Sequence, residues 1–300
     1  MDRIKGFGPV KFRQIYEVYK SFSIFWKTVV IEKREFQTRG SNFELNFGKK
    51  LFSQIKKLPA ELSESQKFAI DQVRKAKEFG GKLITYSDDE YPRNLYSTNQ
   101  CVPILYAVGN TDFLKDNNSC AVVGTRNPSE WSISQTRVAV QRLAKQRRVI
   151  VSGLAKGIDT IAHQTALDAN GKTIAVLGCG VDVYYPRENA PLQNEIKRKG
   201  LIVSEYPFGT RIQPISLQKR DKIIVGLSKN ILIVETTEKG GTMNAYRAVL
   251  EQKKNIGVFT PPANLSGNFD GNMKIIKEGK TKVHCFPNGQ AVDFKEPEEC

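Results

Sequence analysis

Two bases, an acid and a set of small turn residues stand at the ends of consecutive apolar runs, and that is where chemistry can reside in this chain. Cys120–Val123 runs into Gly124-Thr125-Arg126-Asn127-Pro128-Ser129, and Val149–Val151 runs into Ser152-Gly153-Leu154-Ala155-Lys156-Gly157-Ile158-Asp159. Ile231–Val234 leads to Glu235 and then to Gly240-Gly241-Thr242. Glycines bring backbone amides close to a ligand, hydroxyls and free helix-start amides accept an anion, and Arg126 offers a planar fork of donors to phosphate oxygens. Lys156, bracketed by Gly153 and Gly157, can reach over the same edge. Taken alone, the Gly124 turn reads equally well as an ordinary strand–helix connection with an exposed arginine.

Other groups carry less. Gln218–Ser228 places Lys219, Arg220 and Lys222 within about one helical turn, either as a solvated face or as a second basic group reaching the loop edge. Glu235 is expected to pair with a basic neighbour such as Arg220 rather than to act as an acid. Asp159 is expected to cap a helix that contains His163, itself read as a packed histidine because no nucleophile or acid is spaced to serve it. Gly178-Cys179-Gly180 is half a dinucleotide fingerprint with Val183 where the third glycine belongs, and Gly171-Lys172-Thr173 lacks the earlier glycine of a P-loop. Two histidines and no Cys-x-x-Cys pair make a zinc site improbable, so neither metal nor cofactor is expected.

The elements that must position these loops are legible in the pattern. Apolar strands near residues 120, 150, 174, 202, 232 and 257 alternate with helical segments at Ser132–Arg147, Asp159–Ala169, Gln193–Lys199, Leu217–Leu227 and Thr242–Gln252. Such alternation predicts a doubly wound, mostly parallel α/β sheet whose loops gather on one edge. Leu83–Tyr86 and Val102–Gly109 read as further strands, with Pro103 placing the second at a sheet edge. Residues 1–78 read as helical, with Ser63 and Gln66 as a capping box before the last helix, which Gly80-Gly81 ends. A sheet domain at 79–287 and a frayed tail at 288–300 complete the expected organisation.

Among 300 residues, 46 Lys or Arg face 31 Asp or Glu, a net charge of +15 that favours a polyanionic partner. Residues 1–60 hold 13 of those bases against 5 acids, so more than half of the surplus lies in a fifth of the chain. The five cysteines are scattered, which argues against a disulfide framework. With no apolar leader after Met1 and no stretch long enough to span a bilayer, a reducing cytoplasm is expected.

Read together, these blocks resemble the DprA/Smf family of DNA-processing proteins. The resemblance runs from about residue 80 to 285 through Tyr91-Pro92, Val123–Arg126, Val151–Asp159 with Ala162-His163, Thr173–Gly178, Tyr185-Pro186, Ser204–Pro207, Arg220–Ser228 and Glu235–Gly241. It implies an extended Rossmann-like fold preceded by a small helical SAM-like domain, of which the basic amino-terminal segment looks like a divergent version. It also implies a non-catalytic homodimer that binds single-stranded DNA and loads the RecA recombinase during natural transformation. By that analogy Arg126 and Lys156 are principal phosphate contacts and Arg220 with Lys222 a second group; the loop reading adds Gly124, Thr125, Ser129, Ser152, Gly153, Gly240, Gly241 and Thr242 to the expected site. Trp131, Tyr184, Tyr185, Tyr206 and Phe208 either stack on bases or fill the core.

The chain departs from the family pattern at Asp221 and Lys222, where Asn and Arg are common, at Gly240-Gly241-Thr242-Met243, where Ser-Gly-Ser-Leu is usual, and at Ser132, where a glycine is usual. A divergent member suits a second role, as the antitoxin or regulator of an anti-phage defence module with a toxin as partner. A third reading is a nucleotide-processing enzyme that cleaves glycosidic bonds, of which Lys239–Asn244 is a partial echo.

Overall fold

The computed structural model describes residues 62–294, apart from 97, 99–101, 264 and 266. Most of the expected amino-terminal helical domain, residues 1–61, lies outside the described residues, as do the side chains of the Ser63–Gln66 capping box and residues 295–300 of the tail.

Nine strands form one sheet in the order β1-β2-β6-β5-β4-β3-β7-β8-β9. They are β1 (Gly81–Thr85), β2 (Ile104–Gly109), β3 (Ser119–Val123), β4 (Val149–Ser152), β5 (Thr173–Leu177), β6 (Leu201–Ser204), β7 (Asn230–Ile233), β8 (Ile256–Phe259) and β9 (Val283–Phe286). From β6 to β9 every pairing is parallel, while β2 pairs antiparallel with both β1 and β6. The α/β, doubly wound, mostly parallel architecture is thus present. Two features differ from the sequence pattern. Strand β9 has no counterpart in the alternation pattern. Nor does β2 lie at an edge: Pro103 precedes its first residue, so the missing N–H removes no ladder bond, and the Pro103 carbonyl accepts from Tyr86 N at 3.0 Å.

Eight helices cover the sheet among the described residues: α1 (Leu62–Glu78), α2 (Arg93–Tyr96), α3 (Glu130–Lys145), α4 (Ile158–Asp168), α5 (Ala190–Lys199), α6 (Pro214–Leu227), α7 (Met243–Gln252) and α8 (Asp270–Glu278). Period-two alternation assigns side chains to opposite faces of each strand. Ala121, Val123, Val151 and Ile233 pack with Ile223 and Ile224 of α6 and Val249 of α7 on one face. Cys120, Val122, Ile150 and Leu232 pack with Leu143 of α3 and Ala162 of α4 on the other. With both faces dry, the core strands have no polar side to show, which explains their continuous apolar runs. Residues 289–294 do not leave the unit: Gly289 N donates to Gln135 Oε1 at 2.8 Å, Val292 is buried, and Phe294 packs edge-on against Phe286.

Between β3 and β7 the strand order reverses. Chain that leaves β3 goes to α3 on one face, and chain that leaves β7 goes to α7 on the other, so a crevice opens between their carboxyl ends.

Candidate nucleic-acid interface

The loops at this crevice are stitched to one another by their backbones. Thr125 N donates to the Glu235 carbonyl at 2.8 Å, and Ile158 N donates to the Thr125 carbonyl at 3.2 Å. Gly124 has no room for a side chain, because a Cβ there would fall 2.6 Å from Ile158 Cγ1. Gly157, at φ +77°, makes the turn into α4 that a larger residue would strain.

A main cleft of about 400 Å³ lies over this junction, with Thr125, Arg126, Arg220, Asp221, Gly241 and Thr242 among its walls. A smaller recess of about 60 Å³ adjoins it, lined by Lys156, Gly153 and Tyr185. Arg126, Ala155, Leu217 and Arg220 belong to both. Of the residues expected from sequence, the cleft and recess bring together Gly124, Thr125, Arg126, Gly153, Lys156, Arg220, Gly240, Gly241 and Thr242.

Arg220 is the least exposed of the bases. Its side chain keeps 6% of its accessible surface, with Nη1 3.6 Å from Asp159 Oδ2 and Nε 3.3 Å from Asp221 Oδ1. Its buried Nε has no hydrogen-bond partner. A guanidinium carries five N–H donors, and with Nε out of reach of solvent it is the Nη groups that can serve a ligand at the wall of both spaces. Burial pushes the Asp221 carboxyl up to about 6; the Arg220 and Arg126 charges oppose that rise and Asp159 adds to it. Asp159 is raised in the same direction, again chiefly by burial. Lys156 is half-exposed, and its Nζ meets Glu188 Oε1 at 2.6 Å.

Three expected contacts are placed elsewhere. Ser129 lines neither space. Its N–H and its Oγ both donate to Glu235 Oε2, at 2.9 and 3.0 Å, while Asn268 N donates to Oε1 at 3.1 Å. Ser129 is itself the N-cap of α3, its Oγ accepting from Ser132 N at 3.3 Å, and Glu235 holds that cap in place, so the expected pair of Glu235 with Arg220 is replaced by this arrangement and by the Asp159 and Asp221 contacts. Ser152 is fully buried in β4 and donates its hydroxyl to the Val122 carbonyl at 2.7 Å. Lys222 lies two residues past Arg220, hence on a different face of α6, and pairs with Glu251 at 2.7 Å.

The remaining groups separate into core and rim. Asp159 does not cap α4 from the N-cap, where Gly157 stands. It instead accepts from Gly153 N and Ala155 N at 3.2 and 3.3 Å, holding the β4–α4 loop against Arg220. His163 is fully buried with Nδ1 2.7 Å from Thr173 Oγ1, and burial together with the Arg220 charge takes its pKa down to about 3. Trp131 packs against Phe259 and Phe269, and Phe208 against Phe79 and Tyr106. Tyr184 is exposed, with Lys197 Nζ 4.7 Å from its ring centre. Tyr185 and Tyr206 are half-buried. Cys120 and Cys179 are free buried thiols, but Cys285 is disulfide-bonded, contrary to the expectation from spacing.

The geometry of a switch-point cleft walled by arginines suits several families, and comparison with known proteins decides among them. The profile of the DNA recombination-mediator protein A family matches residues 82–290. The chain belongs to this family. Among its DprA/Smf relatives, Protein Smf of Synechocystis is 34% identical over 98% of this chain and 69% of its own length. DNA processing protein DprA of Streptococcus pneumoniae is 37% identical over 72% of this chain and 76% of its own length. The X-ray structure of the Streptococcus pneumoniae DprA superposes with a TM-score of 0.72 at 30% identity, covering 97% of this chain and 94% of that one. A Helicobacter pylori DprA structure, described for its single-stranded DNA binding mode, superposes with a TM-score of 0.60 at 30% identity over 68% of this chain and 91% of that one. Like those DprA structures, the chain has the Rossmann-like fold expected from its strand–helix alternation. Among the described residues no helix is long and apolar enough to cross a membrane.

Proposed function

We propose that this DprA-family chain binds single-stranded DNA along its switch-point edge and breaks no bond in it. Arg126 and Arg220 take phosphates at the wall common to cleft and recess, Lys156 extends the grip, and the amides of Gly241 and Thr242 complete it, the Gly240 amide being held by the Thr237 carbonyl at 3.0 Å. The observation that carries this reading is the Arg220 guanidinium: buried, held by ion pairs of 3.3 and 3.6 Å, and set in the wall of both spaces. The net charge of +15 supports it, and so does the Helicobacter pylori relative described as binding single-stranded DNA. By the same kinship the chain acts in the cytoplasm as a homodimer that passes its strand to a RecA-type recombinase. The expected division into an amino-terminal domain (1–78), a sheet domain (79–287) and a tail (288–300) is kept as part of this proposal, with residues 288–294 reassigned to the sheet domain.

Nucleotide cleavage is the competing reading, favoured by the two carboxylates, Asp159 and Asp221, on the main cleft. Glu235 cannot serve it, since both its oxygens hold backbone amides. A mobility shift of single- against double-stranded DNA, run beside chromatography of nucleoside monophosphates incubated with the protein, tests the choice. Preferential retardation of the single strand without release of free base is expected; steady release of base overturns it. Defence is distinguished from transformation by the neighbouring genes, a toxin in one case and competence functions in the other.

A further inference from the structure

Asp221 is an odd residue to find in a site for a polyanion. Its carboxylate lines the main cleft, its side chain keeps only 16% of its accessible surface, and none of the hydrogen bonds of the described residues reaches it. The charged groups that face it are Arg220 on its own helix, Asp159 on α4 and Arg126 in the β3–α3 loop. Oδ1 leans on Arg220 Nε at 3.3 Å, outside hydrogen-bond geometry, so both oxygens keep lone pairs for a donor. An ionised carboxylate only accepts hydrogen bonds. A phosphate placed on it is repelled, which drives the sugar–phosphate chain toward Arg126 and the Gly240–Thr242 turn. At Gly241 no heavy atom stands within 4 Å of where a Cβ would be, so that wall is open. What then meets Asp221 is the base. About 400 Å³ lies in the ordinary range of small-molecule pockets and admits one.

We propose that Asp221 is the base-reading residue of this cleft and that it selects guanine. In a single strand the Watson–Crick edge is free to be read. Guanine alone offers two adjacent donors there, N1–H and the N2 amino group, which match the two oxygens of a carboxylate. Cytosine and adenine offer one amino group beside an acceptor, and thymine one N–H between two acceptors. The inference rests on the single-stranded DNA reading above and adds to it a preference that phosphate contacts cannot supply.

The test is fluorescence anisotropy with the full chain at pH near 8 and an oligothymidylate of about 20 nucleotides. Three probes are compared: thymine throughout, one central guanine, and one central hypoxanthine, which lacks only the N2 amino group. Wild type is expected to bind the guanine probe about fivefold to tenfold more tightly than either of the others. Asp221→Asn is expected to bring the three within about twofold of one another. Equal affinity of wild type for all three probes overturns the guanine assignment while leaving single-stranded DNA binding in place, and so does a preference that survives in Asp221→Asn. Failure of every probe to bind overturns the single-stranded DNA reading and this inference with it. The wild-type comparison stands by itself should the variant fold poorly.

Discussion

The Arg220 guanidinium occupies the space where a side chain on residue 153 would lie: a Cβ added to Gly153 falls 1.0 Å from Nη1. The glycine after β4 therefore serves less as a phosphate amide than as the slot that lets an arginine of α6 reach the wall between cleft and recess. Gly153→Ala is expected to push Arg220 out of that slot. Overpacking of this kind costs about 1–3 kcal/mol of stability. A displaced guanidinium no longer reaches its phosphate, and without that charge-assisted hydrogen bond single-stranded DNA affinity falls about tenfold. Thermal unfolding and anisotropy on the same sample check both. Gly153→Ala is the milder probe, because Arg220→Ala strands Asp159 and Asp221 as buried charges and costs about 3–5 kcal/mol.

Lys156 and Lys222 separate in a way that charge alone does not predict. Lys156 borders the recess and spends its charge on exposed Glu188, whereas Lys222 lines neither space and pairs with Glu251. Lys156→Ala is expected to weaken single-stranded DNA binding and to flatten its salt dependence by about 0.7 in log–log slope, one phosphate's share. Glu188→Gln frees Lys156 and is expected to strengthen binding without a measurable change in melting temperature. Lys222→Ala leaves affinity within about twofold. Titrations at several salt concentrations resolve the three.

Glu235 is a stability residue. Its carboxylate closes the start of α3 through Ser129 and ties down Asn268. Glu235→Ala leaves three donors without their acceptor and is expected to cost about 3 kcal/mol, read as a lower urea midpoint at unchanged slope. Glu235→Gln, which keeps an acceptor oxygen, costs less.

How much of this is open to a reader of the sequence depends on how far apart the partners lie. Strand–helix alternation is local, so the sheet, its buried strands and the edge with Arg126 and Lys156 can be read directly. The Ser129–Glu235 cap joins residues 106 apart, and no spacing rule connects them. The place of Lys222 does follow from helix geometry, since a residue two past Arg220 faces elsewhere, and grouping the two by charge alone misses it. Pro103 marks no edge because it stands before its strand rather than within it. Strand β9 escapes the pattern because His284 interrupts the apolar run of Val283–Phe286, whose β character comes from pairing with β8.

A pH series addresses the buried acids. Asp221 titrates near 6 in the folded chain against an ordinary 3.8, so the native state holds this proton more tightly than the unfolded chain does. By linkage, its contribution to stability falls as pH rises from about 4 to about 6 and is flat above that. Asp159, raised in the same direction, adds to the trend. Asp221→Asn is expected to gain about 1–3 kcal/mol near pH 8 and to lose that advantage near pH 4. Protonation also removes a negative charge from the cleft wall. Wild-type affinity for single-stranded DNA should therefore rise as pH drops through about 6, and the rise should be absent in Asp221→Asn.

The most direct measurement is the affinity of the full chain for an unstructured single strand at about 50 and 200 mM salt, with Arg126→Ala combined with Lys156→Ala as the comparison. Wild type is expected to bind tightly at the lower salt and far more weakly at the higher. The double variant should lose at least about tenfold at low salt and show a shallower salt slope. A double variant that binds as well as wild type, with the same slope, contradicts a phosphate grip at the β3–β7 edge.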